Sequence, residues 1–294
     1  MRSVTVLLAV VGLLGVSASG PLMAATNAPP LTIAFWRNAL AAGALAPVAA
    51  VSRRAEVAAM SVREVALVTV SGAALALHFG TWVSSLKLTS VASATALVCT
   101  QVGWVVLIGR VRGRRVSRMV LLGLAVSFAG VLVVSGVDVS ISHRALGGDA
   151  LALAGGLFAA VYTDLGATVR RSLSTTTYTT LCYGTCAALL LPAAVLAGQP
   201  LTGFSAQTWA GIAAVTVAAQ LLGHSVFNHL LAVVSPTVVS LVLLLEVPGA
   251  ALLAAVFLGE APPLGVYLGL LLVLSGLAVV VTSPRSGPPA LALE

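Results

Sequence analysis

The stretch from 236 to 258, PTVVSLVLLLEVPGAALLAAVFL, is strongly apolar and contains one charged residue, Glu246, near its middle. About 20 apolar residues rising 1.5 Å each span a hydrocarbon core roughly 30 Å thick. Because backbone groups in lipid must hydrogen-bond internally, this stretch is predicted to be a membrane-crossing helix. An acidic side chain at mid-membrane costs about 2.5–3.5 kcal/mol, so Glu246 is expected to face a cavity or a partner.

Nine further apolar stretches fill most of the chain, which is 59% hydrophobic and only 8% charged. This composition excludes a soluble globular protein. The sequence therefore predicts an all-α integral membrane protein with ten transmembrane helices. The predicted spans are 4–23, 31–51, 65–87, 91–109, 118–137, 149–168, 177–197, 208–231, 236–258 and 264–282.

The second half of the chain repeats features of the first at an offset of 145 positions. Pro47 corresponds to Pro192, and Gln101 to Glu246. Since five crossings is an odd number, the second unit must be inverted relative to the first, an arrangement typical of secondary transporters. We predict units at 1–137 and 149–282, an outer loop at 138–148 and a disordered cytoplasmic tail at 283–294.

Positive charge concentrates in the connections that would face one side of the membrane, which predicts a plasma-membrane protein with both termini in the cytoplasm. The net charge of +7 is better explained by membrane lipids than by a nucleic-acid partner. The arginines predicted to lie inside are Arg2, Arg53, Arg54, Arg63, Arg110, Arg112, Arg114, Arg115, Arg118, Arg170, Arg171 and Arg285.

Two polar residues occupy the matching mid-membrane position of the two units, Gln101 in the fourth span and Glu246 in the ninth. Glu246 is predicted to contact a substrate amine or to change protonation once per transport cycle; alternatively, it forms a structural hydrogen bond to Gln101. Pro248 leaves the carbonyl of residue 244 without a helical donor. Pro248 and Gly103, its counterpart, are therefore the candidate hinges.

Polar stripes on two other helices are predicted to line the same cavity. Gln220, His224 and Asn228 recur every fourth residue of the eighth span, so they should share one helix face. His78 and Trp82 share a face of the third span. The alternative for each histidine is a hydrogen bond to a backbone carbonyl.

Two charged residues have alternative explanations. Asp164 pairs with His224 at similar depth, pairs locally with Arg170 or Arg171, or is hydrated in an inner vestibule. Arg37 either extends to the lipid head groups or meets a substrate carboxylate.

Small residues predict close helix contacts in the fifth and tenth spans. Gly123 and Gly130 are seven residues apart, as are Gly269 and Gly276, so each pair lies on one helix face. These faces pack within the bundle or, alternatively, form a homodimer contact. The chain is expected to be a monomer or a homodimer.

The segments Thr89–Gly109, Val234–Glu260 and Gly269–Gly276 resemble the duplicated EamA domain of the drug/metabolite transporter superfamily. The resemblance implies ten helices in two inverted units, with helices one to four and six to nine around a central cavity. It also implies alternating access and export of amino acids or other small metabolites. The chain departs from the family pattern where Val247 separates Glu246 from Pro248.

The leading functional prediction is a secondary transporter that exports a small-molecule substrate, with protons as the candidate coupling ion. The alternatives are a flippase for a lipid-linked head group and, with less support, an intramembrane enzyme. No catalytic constellation or nucleotide-binding loop is recognisable, so no enzymatic activity and no cofactor are predicted. Cys182 and Cys186 lack His or carboxylate partners, so no metal site is predicted.

Overall fold

A computed structural model describes residues 2–113, 117–234, 239 and 242–282. Every element of more than one turn in these residues is a helix. The helices, in chain order, are α1 (Arg2–Ser17), α2 (Ser19–Ala25), α3 (Pro30–Ser52), α4 (Arg54–Ala58), α5 (Val62–Ser85), α6 (Val91–Val98), α7 (Gln101–Val111), α8 (Arg118–Ile141), α9 (His143–Val169), α10 (Thr175–Leu196), α11 (Ala206–Val215), the π-helix π1 (Thr216–His224), α12 (Ser225–Leu230), α13 (Glu246–Leu258) and α14 (Leu264–Thr282).

Seven helical segments in the described residues are long and apolar enough to cross a membrane. Three shorter apolar helices fall within the fifth, ninth and tenth predicted spans. The chain is therefore a multi-pass membrane protein, as predicted. The seven segments are Ser3–Ala25, Pro30–Ser52, Val62–Ser85, Val91–Val111, His143–Val169, Thr175–Leu196 and Ala206–Leu230, and the shorter helices are Arg118–Val133, Val242–Leu258 and Leu264–Val279.

The connection between the two predicted units differs from expectation. Segment 138–148 was expected to be a loop, but α8 continues to Ile141 and α9 begins at His143. Ser142 is the only interruption, and its side chain accepts a hydrogen bond from the backbone N–H of Ala145, which starts the new helix directly. The predicted tail, 283–294, lies outside the described residues.

Helices from the two halves of the chain pack in reciprocal pairs. α5 packs on α9, and the corresponding helices of the other half, π1 and α1, also pack together. The α3–α10 and α8–α14 pairs each join counterparts. Almost every helix of one half is thus held by a helix of the other.

The predicted glycine faces join α8 to α14 inside the bundle. A Cβ at Gly130 would lie 2.7 Å from the carbonyl oxygen of Gly269, and one at Gly276 would lie 2.4 Å from that of Gly123. No side chain fits at these approaches, so glycine permits the two backbones to touch. The packing interpretation of these glycines is confirmed.

Charged residues at the two ends of the bundle fasten neighbouring helices. At one end, which we call the Lys87 end, the ammonium of Lys87 donates to the carbonyls of Met23 (3.0 Å) and Thr26 (3.0 Å), and so caps α2. The Glu260 carboxylate accepts the backbone N–H of Val91 (3.0 Å) at the start of α6. These contacts join the end of α5 to α2 and the end of α13 to α6.

The opposite end, which we call the arginine-rich end, carries Arg53, Arg112 and Arg170. The Glu56 carboxylate accepts the backbone N–H of Ser174 there, at the start of α10. Loops from both halves of the chain therefore meet at this end of the molecule.

Candidate functional site

A cavity lies between α5, α9, π1, α12 and the interrupted segments α6–α7 and α13. Its empty volume is about 620 Å³, including the open mouth. It extends from the helix interruptions to Leu231, which follows α12 and lies towards the arginine-rich end. Six residues predicted from the sequence line it: Glu246, Gln101, His224, His78, Trp82 and Asn228.

Two helix interruptions position Gln101 and Glu246. α6 ends at Val98 and α7 begins with Gln101, while α13 begins with Glu246. At the first interruption the Thr100 hydroxyl donates to the carbonyl of Leu97 (2.6 Å), where a helical N–H would otherwise bond. Both polar residues thus occupy the first position of a helix that starts inside the bundle.

The second interruption follows from Pro248. Proline has no N–H to offer the Leu244 carbonyl. Just before this point the Leu245 N–H bonds the carbonyl of Val242 (3.1 Å), three residues back, where an α-helix would bond four residues back. Pro248 then lies in the first turn of α13, where proline is tolerated. Gly103 has a packing role, since a Cβ there would lie 3.0 Å from Leu124 of α8. The hinge function of both residues stays a prediction.

Glu246 faces the cavity and has no hydrogen-bonding partner in the described part of the chain. It is 7% exposed, and no hydrogen bond from another described residue reaches its carboxylate. The structural alternative, a bond to Gln101, is therefore not formed. Glu246 interacts electrostatically with Arg37, and its place at the start of α13 puts it beside the positive end of the helix dipole.

Arg37 does not extend to the lipid head groups. It is fully buried, its Nε donates to the Gln220 side chain (2.8 Å), and its guanidinium carbon lies 4.0 Å from the centre of the Phe79 ring. A buried guanidinium needs such partners, and the polar Ser19 hydroxyl (3.4 Å) adds another. The other terminal nitrogen, Nη2, is buried and has no hydrogen-bonding partner among the described residues.

Gln220 does not share a face with His224 and Asn228. The π-helix at Thr216–His224 has i→i+5 hydrogen bonds, and the N–H of Ser225 bonds the carbonyl of Gln220. Residues four apart are then no longer aligned along one face. Gln220 turns towards α3, where its amide also donates to Asn38 (3.0 Å), while His224 and Asn228 line the cavity.

The histidines belong to an aromatic wall. The His78 and Trp82 rings stack with centroids 5.7 Å apart, and His224 lies 6.3 Å from both His78 and Tyr162. His78 Nδ1 bonds the carbonyl of Gly155 (2.9 Å); because a carbonyl only accepts, Nδ1 carries the proton. His78 thus satisfies both of its predicted roles, lining the cavity and bonding a backbone carbonyl.

Asp164 pairs with neither His224 nor its local arginines. Its carboxylate forms an ion pair with Arg112, at the end of α7. α7 packs against α9, so the two side chains meet at the arginine-rich end, where Arg112 is half exposed. Arg170 instead donates to the carbonyl of Asn228 (3.0 Å).

Tyr162 and Thr163 line the cavity but were not singled out from the sequence. The Tyr162 hydroxyl donates to the Asn228 side chain (2.8 Å) and thereby fixes that amide at the wall. The available signal was Tyr162 itself, a large polar residue that follows Ala159, Ala160 and Val161 and lies two positions before Asp164. A tyrosine in that setting is equally common in a helix contact, so the pattern alone did not identify it.

Comparison with known proteins places the chain in a family. The model of the EamA-like transporter family matches residues 3–136 and again 146–282. An uncharacterized transporter of Archaeoglobus fulgidus is 28% identical over 196 residues, which cover 65% of this chain and 67% of that protein. A crystal structure of another protein superposes with a TM-score of 0.67 at 18% identity, covers 95% of this chain and 98% of that one, and supports the fold alone. The chain is a member of the EamA-like transporter family, within the drug/metabolite transporter superfamily.

Proposed function

We propose that this membrane transporter is a plasma-membrane exporter of small metabolites, such as amino acids, that works by alternating access. The observation that carries the proposal is the cavity, in which the carboxylate of Glu246, without a hydrogen bond from any described residue, lies at a helix interruption within the bundle. Interrupted helices around a mid-membrane site are typical of secondary transporters. Glu246 is the group we expect to exchange protons during the cycle.

The proposed architecture is ten crossings in two inverted units, with both termini in the cytoplasm. The reciprocal packing of α5–α9 with α1–π1 supports inversion, because a two-fold axis generates such pairs. The interrupted α6–α7 and α13 occupy matching places in the two halves. Arginine in the connections at one end supports a cytoplasmic position for that end.

The proposed direction, export, is supported by the positions of the cavity and of the arginines together. The cavity is lined as far as Leu231, towards the arginine-rich end. If the arginine-rich end is cytoplasmic, this conformation accepts its solute from the cytoplasm. That orientation suits loading for export.

The test is a comparison of metabolites in the medium of cells that lack or overproduce the protein. We expect at least one small metabolite to accumulate outside with overproduction and to fall with deletion. Candidates are then measured in vesicles reconstituted with the purified full chain, by counterflow and by uptake driven by a proton gradient. Glu246→Gln should abolish gradient-driven uptake, whereas Gly43→Ala, at a helix position with open space around it, should not. Unchanged media in both strains would contradict the proposal, and movement of lipid without solute would favour a flippase.

A further inference from the structure

We infer that the cavity selects a solute with one net positive charge and an apolar, ring-sized body, in preference to a zwitterion or an anion of the same size. The inference rests on the proposed function, since it assigns the substrate class of the same cavity. It follows from which charges line the wall, which charge is hidden behind it, and what the remaining surface consists of.

The charge that the wall presents is negative. Among the described lining residues there is one carboxylate, Glu246, and neither a lysine nor an arginine. No described side chain donates a hydrogen bond to Glu246, so its acceptor sites remain available to a bound solute. A protonated amine supplies up to three donors and the opposite charge, which makes it the natural partner of this group.

Arg37 acts on Glu246 electrostatically, but it does not line the cavity. The guanidinium has no solvent exposure, lies against the Phe79 ring and is held by the Gln220 amide, and its Nη2, which has no hydrogen-bonding partner among the described residues, is buried as well. A solute carboxylate in the cavity would therefore find neither a lysine nor an arginine among the described lining residues. The sequence had suggested a carboxylate contact for Arg37, and the burial of this residue argues against it.

The start of α7 does not bind an anion either. Free N–H groups at a helix N-terminus attract anions. Here the Val102 N–H bonds the carbonyl of Cys99 (3.3 Å), and the N–H groups of Gly103 (2.8 Å) and Trp104 (3.4 Å) both bond that of Thr100. The backbone donors beside Gln101 are therefore already used within the chain.

The remaining surface suits a cation with a ring. Trp82, Tyr162 and Phe227 line the cavity together with His78, which stacks on Trp82. Aromatic faces attract cations and pack against flat apolar groups. Trp82 therefore contributes an aromatic face to the wall, while its Nε1–H is buried.

The test uses three compounds with one body and different charges: tyramine, tyrosine and 4-hydroxyphenylacetate. Vesicles reconstituted with the full chain are loaded with tyramine, and counterflow of radiolabelled tyramine is measured while each unlabelled compound competes from outside. We expect tyramine to compete at least tenfold more strongly than either of the others. Equal competition by tyrosine or the anion, or no counterflow of tyramine, would overturn the inference.

Variants assign the selectivity to residues. Glu246→Gln should reduce the advantage of tyramine over tyrosine at least tenfold. Trp82→Phe keeps an aromatic face at the wall and should retain that advantage; Trp104→Phe, outside the cavity wall, is the matched control. Melting temperatures verify folding, and if Glu246→Gln fails to fold, the competition on the unmodified protein decides alone.

The experiment separates this inference from the proposed function. If cells export a metabolite through the protein but tyramine neither exchanges nor competes, the transporter proposal stands and the cation preference is wrong. If no solute leaves the cells and none exchanges in vesicles, both are wrong.

Discussion

At the scale of single residues, the contrast between Glu246 and Arg37 defines the site. Both are ionisable groups in the apolar interior, yet Glu246 faces the cavity without a hydrogen bond from any described residue, and Arg37 is enclosed by Gln220, Ser19 and Phe79. A buried charge with several partners is expensive to move, whereas an unpartnered one at a cavity wall is free to exchange ligands. Glu246 is therefore the residue whose charge state a solute or a proton can change.

The first prediction concerns the pH dependence of transport. If Glu246 alternates between proton and solute, counterflow of the transported metabolite by Glu246→Gln should be slower and independent of pH, because glutamine does not titrate. The measurement is the initial counterflow rate in reconstituted vesicles from about pH 5.5 to pH 8.5. A variant whose pH profile matches that of the unmodified protein would exclude Glu246 as the titrating group.

Other titratable groups near Glu246 supply the control. His78 and His224 line the same cavity, as do Cys99 and Tyr162, and Arg37 acts on Glu246 electrostatically. His224→Gln should retain the pH dependence if the carboxylate causes it. If His224→Gln flattens the profile and Glu246→Gln does not, the titration belongs to the histidine.

The sequence located Glu246 at a cavity because a lone carboxylate in lipid has few alternatives. It did not locate the partners of Arg37 or Asp164. A long charged side chain reaches several neighbours, and which helix supplies them depends on packing that a single sequence does not show. Arg112, the partner of Asp164, is 52 residues away along the chain.

At the scale of secondary-structure elements, the π-helix π1 requires a particular neighbour. Its Ala218 carbonyl would lie 2.4 Å from a Cβ at Gly15 of α1. The wide turn of π1 thus projects backbone towards α1, and only glycine leaves room for it. π-Helices of this kind frequently occur at functional sites.

The second prediction tests this contact. Gly15→Ala should lower the free energy of unfolding by about 1–3 kcal/mol, because a methyl group at this point forces two backbones apart. The measurement is thermal unfolding of the purified protein in detergent. Gly43→Ala is the matched control: it is also inside a helix, nothing lies within 4 Å of its Cβ position, and alanine there should be neutral or slightly stabilising. Equal effects of the two variants would contradict the close approach.

The third prediction concerns Glu260 at the Lys87 end. Glu260→Ala should lower the free energy of unfolding by about 1 kcal/mol, because the Val91 N–H at the start of α6 loses its acceptor. Glu260→Gln keeps an acceptor oxygen and should have a smaller effect. Thermal unfolding of both variants at one pH provides the comparison, and an equal loss in both would show that the acceptor is not what matters.

The contact between Glu260 and Val91 also makes the stability of the protein depend on pH. Burial raises the pKa of Glu260 above its ordinary value near 4.5, although the N–H groups of Val91 and Ala92 oppose the shift. The stability that this group contributes is therefore present below that ordinary value and is lost as the pH rises through the raised pKa. Relative to the unmodified protein, Glu260→Gln should gain melting temperature between about pH 4 and pH 7.

Helix positions were predictable from apolar length, but the interruptions were only partly so. Pro248 indicates a break before α13, since the missing donor is visible in the sequence. No proline marks the break at Cys99 and Thr100. The π-helix is not visible in the sequence either, because Gln220, His224 and Asn228 are spaced as they would be on one face of an α-helix. Local hydrogen bonds of single hydroxyls, such as that of Thr100, decide these features.

At the scale of the whole molecule, the two halves depend on one another. Counterparts pack in reciprocal pairs, and the glycines of α8 and α14 bring those backbones into contact. Neither half encloses the cavity alone, because Gln101 comes from the first and Glu246 from the second.

The fourth prediction concerns sidedness. Arg53 and Arg171 are exposed at the arginine-rich end, and Arg144 is exposed at the Lys87 end. Single cysteines at positions 53 and 171 should react with a membrane-impermeant thiol reagent only after the cytoplasmic side is opened, and a cysteine at 144 should react in intact cells. The three native cysteines are buried and should contribute little background. Labelling of 53 and 171 from opposite sides would refute the inverted ten-crossing scheme.

Internal repetition predicted two units, and the family model matches the chain twice, whereas the family itself was predicted from the resemblance of segments such as Val234–Glu260 to the EamA domain. The wall of the cavity was predicted in part, since six expected residues reach it. Three expected residues do not reach it. The π-helix turns Gln220 away, and Arg37 and Asp164 contact partners that the sequence did not reveal.

The interrupted helices have a consequence for how the protein is made. α6 has 8 residues and α7 has 11, so each is about 12–17 Å long, too short to cross the hydrocarbon core unaided. The turn between them keeps its backbone groups bonded within the span, but all eight residues of α6 are buried, and its neighbours include α9 and α13 of the second half. This span should therefore become fully enclosed late in biogenesis, after those helices have been synthesised, and a chain that terminates early would present an uncovered span to the quality-control machinery of the membrane.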